Sequence, residues 1–332
     1  MKKISIIIPL YNAEKYIQKT IDSILIQKDR IFEIIIIDDG SNDNSSEIIK
    51  NNYGNEEKIK YYYQKNSGAP IARNLGISKA TGDYVIFFDS DDILIDKTIE
   101  KYCNILNSND DIDLIIGNYN KIDEKDNILS KELLFKKDEI IIDKNIFEYS
   151  NIDPKPGNKI YSLKIIKKNK IVFDDVKIGQ DLNFFLKYIL FSNKIYLLNE
   201  YVFNYRIVDT SISRTYSMKI LNIKDTFDCV KKYYEKENCI NLYFKYISTI
   251  EMINYYYQYC KVRYFKNKDD RKKILKFFRI NARSLKLHKK TMLFKRVRTI
   301  YLKFIVRLFI GKIFISNIYC NYVINKRGGR HI

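Results

Sequence analysis

The sequence predicts an α/β fold: a mostly parallel sheet with helices on both faces, followed by a basic helical region. Apolar, β-branched runs alternate with stretches of helical period through the first hundred residues. Those runs are apolar on both faces, as strands covered by two helical layers are. Polar residues crowd their carboxyl ends, the edge at which open α/β sheets bind ligands.

Each element follows in order. ISIIIPL (Ile4–Leu10) reads as the first strand, and AEKYIQKTIDSILIQ (13–27) carries a helical period. The opening MKKISIIIPLYNAEKY imitates a signal peptide, but Pro9 interrupts the run, Glu14 and Lys15 follow it, and no small-residue cleavage site is present. FEIIIIDDGS (32–41) is a second strand, and DNSSEIIKNNY (43–53) a helix with serines placed to cap it. KIKYYYQ (58–64) is a third strand, GAPIARNLGISKAT (68–81) a helix and DYVIFFDS (83–90) a fourth strand. DILIDKTIEKYCNIL (92–106) reads as a helix, and capping it is the alternative role for Asp92. Beyond residue 105 the alternation loosens: DIDLIIGNY (111–119) and KIYLLNEYVFNYRI (194–207) look like strands, and QDLNFFLKYILFS (180–192) like a helix. From Ser213 the chain reads as helices rich in Tyr, Phe, Lys and Arg.

Charge is distributed unevenly. The net charge is +19, and Ile, Lys, Asn and Tyr are abundant with no Trp, a pattern that genome composition alone could produce. However, 22 of the 59 Lys+Arg and only 2 of the 40 acidic residues lie from Lys261 onward, so the body is close to neutral. That asymmetry points to an anionic partner of the tail. The five cysteines are scattered, odd in number and without metal-ligand spacing, and read as reduced residues of a cytosolic protein.

Three strand ends carry candidate chemistry: PLYN (9–12), DDGS (38–41) and DSDD (89–92). Capping explains one acidic strand end, not three on one edge. Three carboxylates within four positions repel one another unless a cation sits among them. A hard divalent cation, Mg²⁺ or Mn²⁺, takes one or two carboxylates together with substrate phosphates.

SIIIPLYNAEKYIQKTIDSILIQ, EIIIIDDGSNDNS, QKNSGAPIARNLGI and GDYVIFFDSDDI, in that order and spacing, resemble the nucleotide-sugar-binding half of family-2 inverting glycosyltransferases, which have the GT-A fold. The likeness continues more loosely through GNKIYS (157–162), IGQDLNFF (178–185) and FNYRIVDTSIS (203–213), and stops near residue 215. It implies a GT-A domain over 1–212, with a nucleotide-sugar half (1–105) and an acceptor half (106–212), before a helical, basic region over 213–332. By the same resemblance Pro9, Leu10 and Tyr11 line a base pocket and Asp39 accepts from the base edge, as from uracil N3–H. Arg73 approaches the nucleotide from the opposite side, Asp89 faces the ribose or metal shell, and Asp91 ligates Mn²⁺ or Mg²⁺. Asp181 is the general base that takes the acceptor proton, at a stretch reading Gly179-Gln180-Asp181 where the family has Gly-Glu-Asp. Capping of its own helix is the alternative role for Asp181.

The implied reaction is metal-dependent, inverting transfer from a nucleoside-diphosphate sugar, such as a UDP-sugar, to a hydroxyl of a glycan or lipid-linked acceptor in bacterial surface polysaccharide synthesis. Two positions depart further from the family. Gly157 stands where relatives often have Trp, and Val208 where they often have His; the third ligand stays open, with Asp209 one candidate. Both histidines, His288 and His331, lie in the tail, so the body has no His-based chemistry. No glycine follows the first strand, which argues against a dinucleotide-binding dehydrogenase. Two other readings stay open: an inactive GT-A-like binding module, and a nucleic-acid-binding protein acting through its basic tail. In residues 271–332, 18 Lys+Arg and no acidic residue are interleaved with apolar ones, and 301–320 is broken by Lys303, Arg307 and Lys312. The stretch is too charged to span a bilayer but suits an anionic membrane surface, which would put the protein peripherally on the inner face of the cell membrane.

Overall fold

The computed structural model describes residues 2–142, 153–208, 218–262, 265 and 267–285. The chain forms two compact units: 1–146, 151–175 and 180–211 make the first; 147–150, 176–179 and 212–332 make the second.

In the first unit, among the described residues, a 10-stranded sheet runs in the order β3-β2-β1-β4-β9-β6-β10-β5, with β7 beside β6 and β8 beside β10. The strands are β1 (Ile4–Leu10), β2 (Glu33–Asp38), β3 (Ile59–Tyr63), β4 (Tyr84–Phe87), β5 (Ile93–Leu94), β6 (Leu114–Ile122), β7 (Ile128–Glu132), β8 (Glu139–Ile142), β9 (Lys159–Ser162) and β10 (Lys194–Arg206). Six strands, β1 to β4 with β6 and β10, share one direction, so the sheet is mostly parallel. β9 lies antiparallel between β4 and β6 and joins the two halves.

Alternate residues of the isoleucine runs serve opposite faces. Ile4, Ile6, Ile8 and Leu10 pack with Ile17, Ile21 and Ile24 of α1 (Ile17–Leu25) and Ile49 of α2 (Ser45–Tyr53). Ile7 faces the other way, against α3 (Ala69–Lys79), where a Cβ on Gly76 would stand 2.3 Å from Ile7 Cγ2. Glycine is what lets this helix approach the strand so closely. Register then sets the edge: Leu10 pairs with Asp38, Asp38 with Tyr63, and Ile7 with Phe87. PLYN, DDGS and DSDD therefore emerge side by side.

Two local expectations are corrected. The stretch after DSDD is not helical from Asp92: β5 intervenes, and α4 begins at Thr98 (Thr98–Ser108) behind Lys97 in a left-handed conformation, φ 62. Asp92 is no cap; its carboxylate accepts the Arg206 main-chain N–H at 2.9 Å. Nor do the serines cap α2. Asp43 Oδ1 takes the Ser45 N–H at 3.0 Å, while Ser45 Oγ accepts the Ala13 N–H at 2.9 Å and ties the loop after β1 to the loop after β2.

After β9 come α5 (Leu163–Lys168) and α6 (Gln180–Tyr188). From residue 218 the described part of the second unit is mainly helical: a 3-10 turn (Met218–Asn222), α7 (Ile223–Lys236), a short α8 (Ile240–Leu242), a π turn (Tyr243–Ile247), α9 (Ser248–Lys261) and α10 (Lys268–Ser284). Inside it Glu251 is buried and accepts from the hydroxyls of Tyr243 and Tyr255, each at 2.6 Å. Among the described residues, no helix is long and apolar enough to cross a membrane. Cys103 and Cys239 are free thiols. Asp209, both histidines and the stretch 301–320 lie outside the described residues.

Candidate active site

The edge where PLYN, DDGS and DSDD meet is built from loops that hold each other. Tyr11 is exposed, and Asn12 adopts φ 48, with its N–H on Ser41 Oγ and its Oδ1 accepting the Asn42 N–H. Pro9 is half-buried at the end of β1. Leu10 is fully buried in the core cluster and its carbonyl accepts the Asp39 N–H, so its side chain belongs to the core rather than to an open pocket wall.

The two neighbouring aspartates of DDGS divide their tasks. Asp38 accepts the Tyr61 hydroxyl at 2.5 Å and the Ser41 N–H at 2.8 Å, which fixes the turn. Asp39 faces the start of α3: Oδ1 accepts from Gln64 Nε2 and the Ser67 N–H, and Oδ2 from the Gly68 N–H, all at 2.7 Å. Gly68 adopts φ 92, which favours glycine there. Three donors define Asp39 as an acceptor.

Arg73 projects from α3 and is 5% exposed. Its Nη2 donates to Asp89 Oδ1 at 2.6 Å and its Nη1 to Asp181 Oδ1 at 3.2 Å, while its Cζ lies 5.3 Å from the centroid of the Phe173 ring. The next residue, Asn74, holds Phe173 in place by a pair of bonds to its main chain, at 2.8 and 2.9 Å. The Arg-Asn dipeptide thus supplies both the cation and the support of the ring under it.

Asp181 stands in the first turn of α6, and its carboxylate accepts from Arg73. About a third of that side chain stays open, 34%, enough for a substrate to reach it. Burial raises its pKa above the ordinary aspartate value, and the Asp89 charge adds to the rise; Arg73, Lys155 and Lys159 oppose it.

Asp91 and Asp92 are crowded. Burial, followed by the Asp89 charge, pushes the Asp91 carboxyl up to about 7, and Asp92 is raised well above the usual range. Among the described residues, no Lys or Arg forms a salt bridge with Asp91. No three His, Cys, Asp or Glu side chains among them converge as a ready-made metal cluster. A half-buried carboxylate that forms no salt bridge among the described residues, beside a second carboxylate, is a donor set that fits a hard divalent cation sharing its remaining ligands with phosphate oxygens. The residues fit such an ion.

Sequence reasoning missed a second set of residues. Lys159 is fully buried; its Nζ donates to the carbonyls of Asp153 and Lys155 at 2.5 and 2.6 Å and to Asn158 Oδ1 at 2.7 Å, and lies 5.3 Å from the Phe185 ring of α6. Lys155 pairs with Asp153 at 3.0 Å and sits over the Tyr119 and Tyr205 rings, 5.2 and 4.9 Å from their centroids. Arg206, 2% exposed, grips the DSDD loop. The signal was present in GNKIYS and FNYRI, but nothing in either stretch names its partners.

Comparison with known proteins agrees with this fold. The family model described as Glycosyl transferase family 2 matches residues 5–170. Glycosyltransferase GlyA of Streptococcus pneumoniae serotype 4 is 33% identical over 226 residues, 65% of this chain but only 32% of GlyA. The same organism's glycosyltransferase GlyG is 31% identical over 226 residues, 64% of this chain and 73% of GlyG. Among solved structures, residues 1–349 of S. aureus TarS, in complex with UDP-GlcNAc, superpose with a TM-score of 0.68 at 18% identity, covering 98% of this chain and 92% of that one. The likeness to TarS is one of fold, the GT-A fold. With its family match running through β1, the DSDD loop and β9, this chain belongs to glycosyl transferase family 2.

Proposed function

We propose that the chain is an inverting, metal-dependent glycosyltransferase. It would move a sugar from a nucleoside-diphosphate sugar, a UDP-sugar in this reading, to a hydroxyl of a glycan or lipid-linked acceptor in bacterial surface polysaccharide synthesis. The observation that carries the reading is the fork of Arg73, which joins Asp89 at the end of β4 to Asp181 at the start of α6. The UDP-GlcNAc bound by the structural relative TarS supports the choice of donor.

At the nucleotide end, Pro9 and Tyr11 would border the base with Leu10 packed behind them in the core, Asp39 would accept from its edge, and Arg73 would meet the nucleotide from the far side. Asp91 would hold Mn²⁺ or Mg²⁺, with Asp89 beside it. Such an ion, when bound, neutralises charge on the diphosphate. At the acceptor end Asp181 takes the proton of the attacking hydroxyl as its oxygen bonds to the anomeric carbon. The bond from that carbon to the diphosphate breaks, and its electron pair leaves with the diphosphate. One displacement inverts the carbon, and base assistance contributes about 10²–10⁴ in rate. A carboxylate whose pKa is raised by burial yet held by Arg73 suits that task.

The basic C-terminal region would rest on anionic lipid, keeping the enzyme peripheral on the inner face of the membrane; the charge asymmetry of the sequence supports this. The experiment is transfer from a panel of radiolabelled nucleotide sugars with Mn²⁺. Asp181→Asn should lower turnover by about a hundredfold or more while UDP affinity stays unchanged. Loss of UDP affinity together with turnover would make Asp181 a structural residue instead.

A further inference from the structure

We propose that Arg206 is the positioning residue that aims Asp91 at the cation. This rests on the metal reading above and adds a residue to it that touches neither substrate nor metal.

The residue reaches two consecutive aspartates and, among the described residues, forms its ion pair with Asp126 rather than with the carboxylate proposed as ligand. Its Nε donates to the Asp91 carbonyl at 2.7 Å, and its main-chain N–H donates to Asp92 Oδ1 at 2.9 Å. Nη1 donates to the Asp123 carbonyl at 2.9 Å and forms an ion pair with Asp126 Oδ1 at 2.5 Å. Asp126 is held in turn by Lys19 at 2.6 Å, and the Tyr16 ring covers the guanidinium, its centroid 5.0 Å from Cζ. Nη2 is buried and has no hydrogen-bond partner among the described residues. The last residue of β10 thus clamps the loop of β4 from behind, through main-chain atoms.

Three adjacent carboxylates would otherwise drive the loop apart. A guanidinium clamp on the carbonyl side leaves the Asp91 carboxylate as the group free to turn toward a cation. Outer residues that orient a metal ligand in this way commonly control metal affinity by about 10–100-fold. Lysine cannot substitute, because a single ammonium does not offer the Nε and Nη1 directions at once.

The test measures UDP binding by calorimetry, with excess Mn²⁺ and with EDTA, for the wild type, Arg206→Lys and Asp126→Asn. Arg206→Lys should lose about tenfold or more of the enhancement of UDP affinity by Mn²⁺, while its affinity in EDTA and its thermal midpoint stay close to wild type. Asp126→Asn, which only loosens the guanidinium, should lose about two- to threefold in the same direction. Full Mn²⁺ enhancement in a folded Arg206→Lys would overturn the inference. If Arg206→Lys fails to fold, an unchanged enhancement in Asp126→Asn overturns it. No enhancement in the wild type would sink the metal reading itself, and this inference with it; enhancement in the wild type that both variants retain would sink this inference alone.

Discussion

Asp89 and Asp181 share one guanidinium: Arg73 holds the first at 2.6 Å and the second at 3.2 Å. Two carboxylates from opposite halves of the fold are thereby held on one cation, which is walled off from solvent. The two ends of the proposed reaction, donor and acceptor, are tied through a single side chain of α3.

Arg73→Met should therefore damage both stability and chemistry. Removing one partner of a buried pair costs about 3–5 kcal/mol, and the carboxylates here keep 30% and 34% of their side-chain surface. We expect about 2 kcal/mol in urea unfolding. Arg73→Lys should restore little of it, because one ammonium cannot serve both carboxylates. A variant as stable as wild type would show that the fork contributes nothing to the fold.

The pH dependence of activity follows from Asp181. The base works only when deprotonated, and burial and Asp89 raise its pKa while Arg73, Lys155 and Lys159 lower it; Tyr161, which lies beside it, is itself buried and neutral. The acid limb of kcat/KM should thus lie above the ordinary carboxylate range near 4. Lys155→Met removes a positive charge and should move that limb to higher pH. An unmoved limb in Lys155→Met would separate Lys155 from the base.

Much of this was legible in the sequence. The apolar runs mark out β1, β2 and β4, because a strand apolar on both faces has one stable location in an α/β sheet. The residues at their ends were legible for the same reason, since parallel register carries PLYN, DDGS and DSDD to one edge. What stayed hidden depends on partners far along the chain. KIYS of β9 is too short to announce that it will lie between β4 and β6. Lys159 reads as one lysine among many until Asp153, Lys155 and Asn158 surround it. Asp92 has the residue type of a helix cap, and only the Arg206 main chain shows otherwise.

Asp153 predicts a stability effect with a definite sign. Burial opposes its charge, yet Lys155, Lys159 and the Tyr119 hydroxyl hold its pKa down to about 2 from 3.8. The unfolded chain binds the proton first as pH falls, so the stabilisation is complete above pH 4 and is lost between 4 and 2. Asp153→Asn should cost about 2 kcal/mol at neutral pH, and the difference from wild type should shrink to little by pH 2. Unfolding curves for both proteins that stay parallel across that range would refute the assignment.

The charge of the C-terminal region predicts salt-sensitive binding. Residues 271–332 hold 18 Lys+Arg and no acidic residue, and each basic side chain near an anionic surface contributes about 1 kcal/mol. The full chain should sediment with anionic vesicles and not with neutral ones, and should be released by salt. A chain ended near residue 265 should remain in solution. Equal partitioning of the two would leave the region without a role at the membrane.

The last prediction concerns the glycine at position 157, where the resemblance leads one to expect tryptophan. A Cβ there would stand 2.9 Å from Cε2 and 3.1 Å from Cδ2 of the Phe203 ring. Phe203 is itself buried, packed against Phe88, Tyr119 and Tyr205, so the ring cannot swing aside without disturbing the residues that carry Lys155. One aromatic, supplied by β10, occupies the space beside the Asn158-Lys159 pair. Gly157→Ala should accordingly destabilise the protein by about 1–3 kcal/mol through overpacking. Phe203→Leu should also destabilise it, by opening a cavity. The double variant should lose less than the sum of the two, because the smaller side chain makes room for the added methyl group. Strict additivity in that double-mutant cycle, read by urea unfolding, would mean that Phe203 is not what requires glycine at 157.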